Sequence, residues 1–281
     1  MVTLYQEVRT ACQELGFRPR KGLGQHFLIH ESVIEGILRL INLSEGDEIV
    51  EIGPGMGFLT RRLLSVARRV WAIEVDTLLV EWLRRTPLGR VPSLDLVHGD
   101  VLKVHFGEIL PEHKVKLVAN LPYNISTPVL FRLFEERDRF SVLVLMVQQE
   151  VAERMAASPG TKSYGTLSIW SQIHGEILAK VSVSPEAFFP RPRVRSTVLK
   201  IGLYPKPLVA PENQPILRDL VRVSFGQRRK TLTNTLRNLL KKERGEVQGI
   251  LLHEGIDPQR RGETLSVDEF IRLSRALETV T

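Results

Sequence analysis

Ile49-Val50-Glu51-Ile52-Gly53-Pro54-Gly55-Met56-Gly57 is an apolar run that breaks into three alternate glycines. Branched apolar residues suit a buried strand. Glycines at 53, 55 and 57 let the backbone turn tightly and meet a ligand with no Cβ in the way. Behind the loop, FLTRRLLSVARR sets Phe58, Leu59, Leu63, Leu64 and Ala67 close to one helical stripe. The expected local structure is a strand, a glycine loop and a crossover helix.

Working outward, short apolar runs recur at residues 48–52, 70–75, 94–98, 115–119 and 142–147, each separated by room for a helix. Strands alternating with helix-length segments imply an α/β chain with a mostly parallel sheet. QQEVAERMAAS reads as a helix and SPGTKSYG as a loop. Residues 179–184 and 197–203 flank SPEAFFPRPRVRS and are expected to form an antiparallel edge. The stretch 204–215 holds four prolines and reads as a linker.

Beyond the linker, ILRDLVRVSF, TLTNTLRNLLKKE, VQGILLHEGI and SVDEFIRLSRALETV show helical periodicity, and Ser266 with Glu269 makes a capping box for the last. The expected division is a catalytic domain over residues 1–204 and a small all-helical domain over 205–281.

The chain has 281 residues, 43% hydrophobic, with 39 Lys and Arg against 32 Asp and Glu for a net charge of +7. Nine basic and two acidic residues fall within 218–244, so the surplus charge concentrates on the helical part and favours nucleic acid. Cys12 is the one cysteine, which excludes an intrachain disulfide and points to a reducing compartment, the cytoplasm. The N-terminus lacks a signal-peptide pattern and no apolar run approaches the roughly 20 residues that span a bilayer. The seven histidines are scattered, and no metal is expected.

The glycine spacing differs from the dinucleotide fingerprint, whose third glycine follows the second by three residues, and Pro54 stands inside the turn. Glu51, just before the loop, is unfavourable beside a pyrophosphate. It suits a cationic ligand such as S-adenosylmethionine, which carries a sulfonium and an ammonium, or serves equally to accept from loop amides. Glu74 lies about twenty residues past the glycines, where such folds place the acid that accepts from ribose hydroxyls. Asp100, in His98-Gly99-Asp100, is placed to accept from the cofactor's adenine amine. Successive strand ends terminating in a glycine or an acid converge on one crevice.

After the fourth strand, KLVAN leads into Asn120-Leu121-Pro122-Tyr123 at the same edge. An exocyclic adenine amine is a poor nucleophile because its lone pair is delocalised into the ring. Methyl transfer gains from acceptors that hold its N–H bonds and free the lone pair. The Asn120 side-chain oxygen and a carbonyl at Leu121 or Pro122 supply such acceptors, Pro122 stiffens the turn, and Tyr123 offers a face for an extruded base. Phe188 or Phe189, in FFPRPRV, is a candidate for the base's other face.

These stretches, with KGLGQHFL, VEIGPGMGFLT, AIEVD, HGD, NLPYNISTPVLF, QQEVAERM, SYGTLS, AFFPRPRVRS and FGQRRKTLTNTL, resemble the ribosomal small-subunit RNA adenine dimethyltransferases over residues 21–236. The resemblance implies a Rossmann-like class I methyltransferase sheet, a helical C-terminal domain, and N6,N6-dimethylation of two adjacent adenosines near the 3′ end of small-subunit ribosomal RNA during ribosome biogenesis. It implies cofactor contacts at His26, Leu28, Gly53, Glu74, Asp100 and Asn120, to which the loop reading adds Glu51 and Gly55. His26 stands where bacterial relatives often have asparagine. The resemblance favours Phe188 as the stacking residue and a basic helix around Arg228, Arg229 and Lys230, with Arg222, as the RNA contact. The expected partner is a pre-ribosomal 30S particle met by a monomer.

Three other readings compete. A related large-subunit enzyme uses a similar tetrapeptide, but NLPYNISTP and FGQRRKTLTN favour the small-subunit one. A non-catalytic RNA-binding factor is disfavoured by the intact EIGPGMG and NLPY, and a nicotinamide oxidoreductase by the loop spacing.

Overall fold

The computed structural model describes residues 2–278, with Lys21 described by its backbone alone. The strands are β1 (Phe27–Leu28), β2 (Glu48–Ile52), β3 (Arg69–Glu74), β4 (Leu94–His98), β5 (Val115–Asn120), β6 (Phe140–Gln148), β7 (Gly175–Val183), β8 (Phe188–Phe189) and β9 (Ser196–Leu203). The helices are α1 (Leu4–Glu14), α2 (Glu31–Ile41), α3 (Phe58–Leu64), α4 (Thr77–Arg85), α5 (Phe106–Ile109), α6 (Ser126–Glu135), α7 (Gln149–Met155), α8 (Thr166–His174), α9 (Gln214–Gly226), α10 (Leu232–Leu240), α11 (Arg244–His253) and α12 (Val267–Glu278).

Seven strands form one sheet in the order β4-β3-β2-β5-β6-β9-β7, and β1 pairs with β8 in a separate antiparallel ribbon. Strands β2 to β6 are parallel, while β9 runs antiparallel to β6 with Leu143 opposite Ile201 and Leu145 opposite Leu199. Ile49, Val50, Val70, Leu117, Val118, Leu143 and Val144 are almost fully buried, as strands covered on both faces require. The chain order reverses at β2, whose neighbours are β3 and β5. Ligands of open parallel sheets bind at the carboxyl ends beside such a reversal.

The architecture is the α/β fold with a mostly parallel sheet that the sequence pattern called for, and it is Rossmann-like as the resemblance implied. The five parallel strands fall where the apolar runs put them, and the two later stretches form β7 and β9 at that end of the sheet, β9 antiparallel to β6 and β7 outermost. The ribbon of β1 and β8 escapes the pattern, because two-residue strands carry no periodicity.

Two compact units divide the chain. The first comprises Met1–Ala152 and Ile177–Leu203, the second Glu153–Glu176 and Tyr204–Thr281. The division is thus not a single cut after residue 204. α8 belongs with the C-terminal helices because Tyr164, just before it, sits in their core: its hydroxyl donates to Leu265 O at 2.9 Å and its ring meets Phe225 edge-on at 5.6 Å. Phe225 stacks on Phe270, and Leu217, Leu236, Leu251 and Leu273 complete that core. The expected linker is tied into the same unit, since Tyr204 N–H donates to His174 O and Leu208 N–H to Ile173 O.

The expected capping box of α12 is present: Ser266 N–H donates to Glu269 Oε2 at 2.7 Å and Glu269 N–H to Ser266 Oγ at 3.1 Å. Among the described residues no helix is long and apolar enough to cross a membrane.

Candidate active site

The carboxyl ends of β2, β3, β4 and β5 open into one pocket within the first unit. From β2 comes the glycine loop, with Gly53 at φ 71°, Gly55 at φ 58° and Gly57 at φ 84°, values that residues with a Cβ rarely adopt. Gly53 N–H donates to Ile73 O and Gly57 N–H to Pro54 O, both at 2.9 Å, which closes the turn. A Cβ on Gly55 would lie 3.0 Å from Phe27 Cδ1, so the loop rests against β1.

Glu74 ends β3 and is 6% exposed. Its Oε1 accepts from Val75 and Asp76 N–H at 3.0 and 2.9 Å, and its Oε2 accepts from Gly55 N–H at 3.2 Å. Burial pushes its carboxyl above the ordinary range, and these three amides pull against that rise. Gly99 N–H donates to Glu74 O at 2.9 Å, which ties the end of β4 to the end of β3 and sets Asp100 beside the pocket.

Glu51 is 2% exposed, and its Oε2 is buried without a hydrogen-bond partner. Burial lifts its pKa from 4.5 to about 7; the nearby Thr60 hydroxyl opposes the rise, and the charge of Glu74 adds to it.

Asn120 ends β5, and its Nδ2 donates to His26 O at 2.9 Å. The segment before β1 is fastened along the pocket: Asn124 Nδ2 donates to Gly22 O at 2.8 Å and Gln25 Nε2 to Asp76 Oδ2 at 2.7 Å. Gly24 is needed where it stands, because at φ 61° a Cβ would come within 2.8 Å of Asn124 Oδ1. The Tyr123 hydroxyl shares a 2.6 Å hydrogen bond with Ser196 Oγ, and burial pushes that hydroxyl up.

His26, Leu28, Glu51, Gly53, Gly55, Glu74, Asp100, Asn120, Leu121, Pro122 and Tyr123 all line this pocket, so residues spread over a hundred positions are brought together. Phe188 is placed elsewhere: it is 3% exposed, opposite Leu28 in the β1–β8 ribbon, and packed in the core. Phe189 meets Tyr5 edge-on at 5.7 Å. Gln25 and Asp76 were not singled out in the sequence. Asp76 caps α4 by accepting from Leu78 N–H at 3.1 Å, and an Asp before an apolar helical run was the available signal.

The basic residues of the second unit are not on one helix. α9 ends at Gly226, and Arg228, Arg229 and Lys230 occupy the turn before α10. Arg228 is turned inward: its guanidinium donates to Lys162 O and Tyr164 O at 3.2 and 2.7 Å, pairs with Glu263 at 3.6 Å and lies over the Phe225 ring. Arg222, Arg229 and Lys230 are exposed, Arg222 while paired with Asp219 at 2.8 Å. His26 and His30, four apart, flank the two-residue β1 rather than share a helix face. Among the described residues no cluster of three or more metal-ligating side chains forms.

The family model for ribosomal RNA adenine dimethylase matches residues 16–279. The chain belongs to that family. A relative, ribosomal RNA small subunit methyltransferase A of Geobacter metallireducens, is 46% identical over 93% of this chain and 96% of its own length. Among solved structures, a dimethyladenosine transferase from Plasmodium falciparum superposes with a TM-score of 0.78 at 26% identity, covering 90% of this chain and 98% of that one. The 23S rRNA methyltransferase ErmE superposes with a TM-score of 0.67 at 25% identity, covering 90% of this chain and 99% of that one. In this dimethylase the pocket lies at the reversal of the sheet, where open parallel sheets bind their ligands.

Proposed function

We propose that this chain transfers methyl groups from S-adenosylmethionine to the N6 amines of two adjacent adenosines near the 3′ end of small-subunit ribosomal RNA, within a pre-ribosomal 30S particle in the cytoplasm, and that it acts as a monomer. The observation that carries the reading is the hydrogen bond from Asn120 Nδ2 to His26 O. It fixes the amide so that Oδ1 remains an acceptor for an amine.

The pocket fits the methyl donor by its own features. Positive-φ glycines at 53 and 55 leave a cradle without side chains, and the unpartnered Glu51 Oε2 offers a buried acceptor to a cationic ligand. Gly53 and Gly55 would hold its backbone-facing side, Glu74 its ribose hydroxyls, Asp100 its adenine amine, and Leu28 the near wall. When bound, S-adenosylmethionine supplies an electrophilic methyl on a sulfonium.

Asn120 Oδ1 and one carbonyl accept the N–H bonds of the target amine, which frees its lone pair. Pro122 O already accepts from Ile125 N–H at 3.2 Å and Ser126 Oγ–H at 3.0 Å, which makes Leu121 O the second acceptor. Once a methyl is in place a single N–H remains and one acceptor suffices, so the same site serves both rounds. The methylated amine cation is acidic, and no strong general base is required. Arg229 and Lys230 face solvent and supply phosphate contacts.

The test is incubation of unmethylated small-subunit particles and, in parallel, of large-subunit RNA with labelled S-adenosylmethionine, followed by mass mapping. Two adjacent adenosines, each gaining two methyl groups, are expected. Label confined to large-subunit RNA would overturn the assignment.

A further inference from the structure

His26 meets the tetrapeptide at two points and a third segment at another. Its carbonyl accepts from Asn120 Nδ2 at 2.9 Å. Its imidazole stacks on the Tyr123 ring, centroids 5.2 Å apart and planes inclined by 28°. Its Nδ1 lies 2.6 Å from Pro190 O; a carbonyl only accepts, so Nδ1 carries the proton and the ring is fixed in plane as well as in position. Ser196 Oγ, at the start of β9 where the connection that supplies Pro190 ends, holds the Tyr123 hydroxyl at 2.6 Å. Tyr123 is therefore restrained at its hydroxyl by Ser196 and on one ring face by His26.

We infer that His26 is a positioning residue for the adenine acceptor slot, orienting Asn120 through its carbonyl and Tyr123 through its ring, with Pro190 and Ser196 as the outer supports. The inference rests on the adenine N6-methylation reading above. It differs from a role in holding the methyl donor, because the contacts observed go to the two side chains that meet the base. A stacked aromatic pair restrains a ring face more firmly than an asparagine at the same place can. With one face of Tyr123 covered, the base has a single face of that ring to stack on.

The experiment compares His26→Ala, His26→Phe and Ser196→Ala with the wild-type chain on unmethylated small-subunit particles, alongside calorimetric binding of S-adenosylmethionine and melting temperatures. For His26→Ala the expected result is a fall in kcat of roughly tenfold or more, the scale of a modest misplacement of reacting groups, with the Kd for S-adenosylmethionine moved by less than about threefold. His26→Phe keeps the stacked ring and is expected to recover at least about threefold of the lost rate. Ser196→Ala is expected to lower kcat in the same sense as His26→Ala, and it carries the test together with His26→Phe if His26→Ala melts early. A rise in Kd that matches the fall in rate, or equal rates for the Phe and Ala variants, would overturn the inference. A wild-type chain that leaves small-subunit particles unmethylated would instead overturn the function reading, a result visible before any variant is made.

Discussion

Asn120 Nδ2 donates to the carbonyl of His26 at 2.9 Å, across 94 residues of sequence. An asparagine amide has one donor end and one acceptor end, so occupying the donor end decides which way the acceptor faces.

Asn120→Asp replaces the donor by a carboxylate oxygen opposite a carbonyl. That repels the strap carrying His26 and rotates the acceptor out of place. Methyl transfer is expected to fall by roughly 100-fold or more, with S-adenosylmethionine affinity changed only modestly. Steady-state kinetics with calorimetry on the same protein checks this. Equal losses in both would assign Asn120 to the methyl donor.

Glu51 gives a pH dependence of known sign. Its pKa is about 7 in the folded chain against an ordinary 4.5, so between those values the folded state keeps a proton that the unfolded chain releases. The Glu51 contribution to stability is therefore greatest below the lower value and is lost as pH rises through the upper one, by on the order of 3 kcal/mol. Glu51→Gln removes the titration. Urea midpoints at about pH 5 and about pH 8 should diverge for the wild-type chain more than for the variant. Parallel shifts would refute the buried, unpartnered carboxyl.

Arg228 and Arg229 are neighbours with opposite duties. Arg228→Ala loses two carbonyl hydrogen bonds and an ion pair to Glu263, and is expected to cost about 1–2 kcal/mol, a few degrees of melting temperature. Arg229→Ala is expected to leave melting unchanged while weakening RNA binding and lowering its salt slope by about 1. An exchange of these two phenotypes would show that the turn rearranges on RNA.

Phe188→Ala removes a side chain only 3% exposed, opposite Leu28 and within the core beneath the pocket. The expected destabilisation is about 3–5 kcal/mol by denaturant titration. A loss of activity at unchanged stability would place the ring against the base instead.

Sequence alone determined the parallel strands, the glycine loop, the acids at strand ends and the tetrapeptide. Each of those signals is local: a burial period, a φ that only glycine takes freely, a residue type at a strand's end. Even the α12 capping box, Ser266 to Glu269, spans one turn and was legible. Tertiary structure decided what depends on which segments meet. It alone set His26 over Tyr123, tied the Arg228 guanidinium to carbonyls of its own unit, put Phe188 in the core, and joined residues 153–176 to the C-terminal helices. The physical reason is that a side chain's partner can lie far along the chain, and nothing at its own position records whether a ring, a carbonyl or water will stand opposite it.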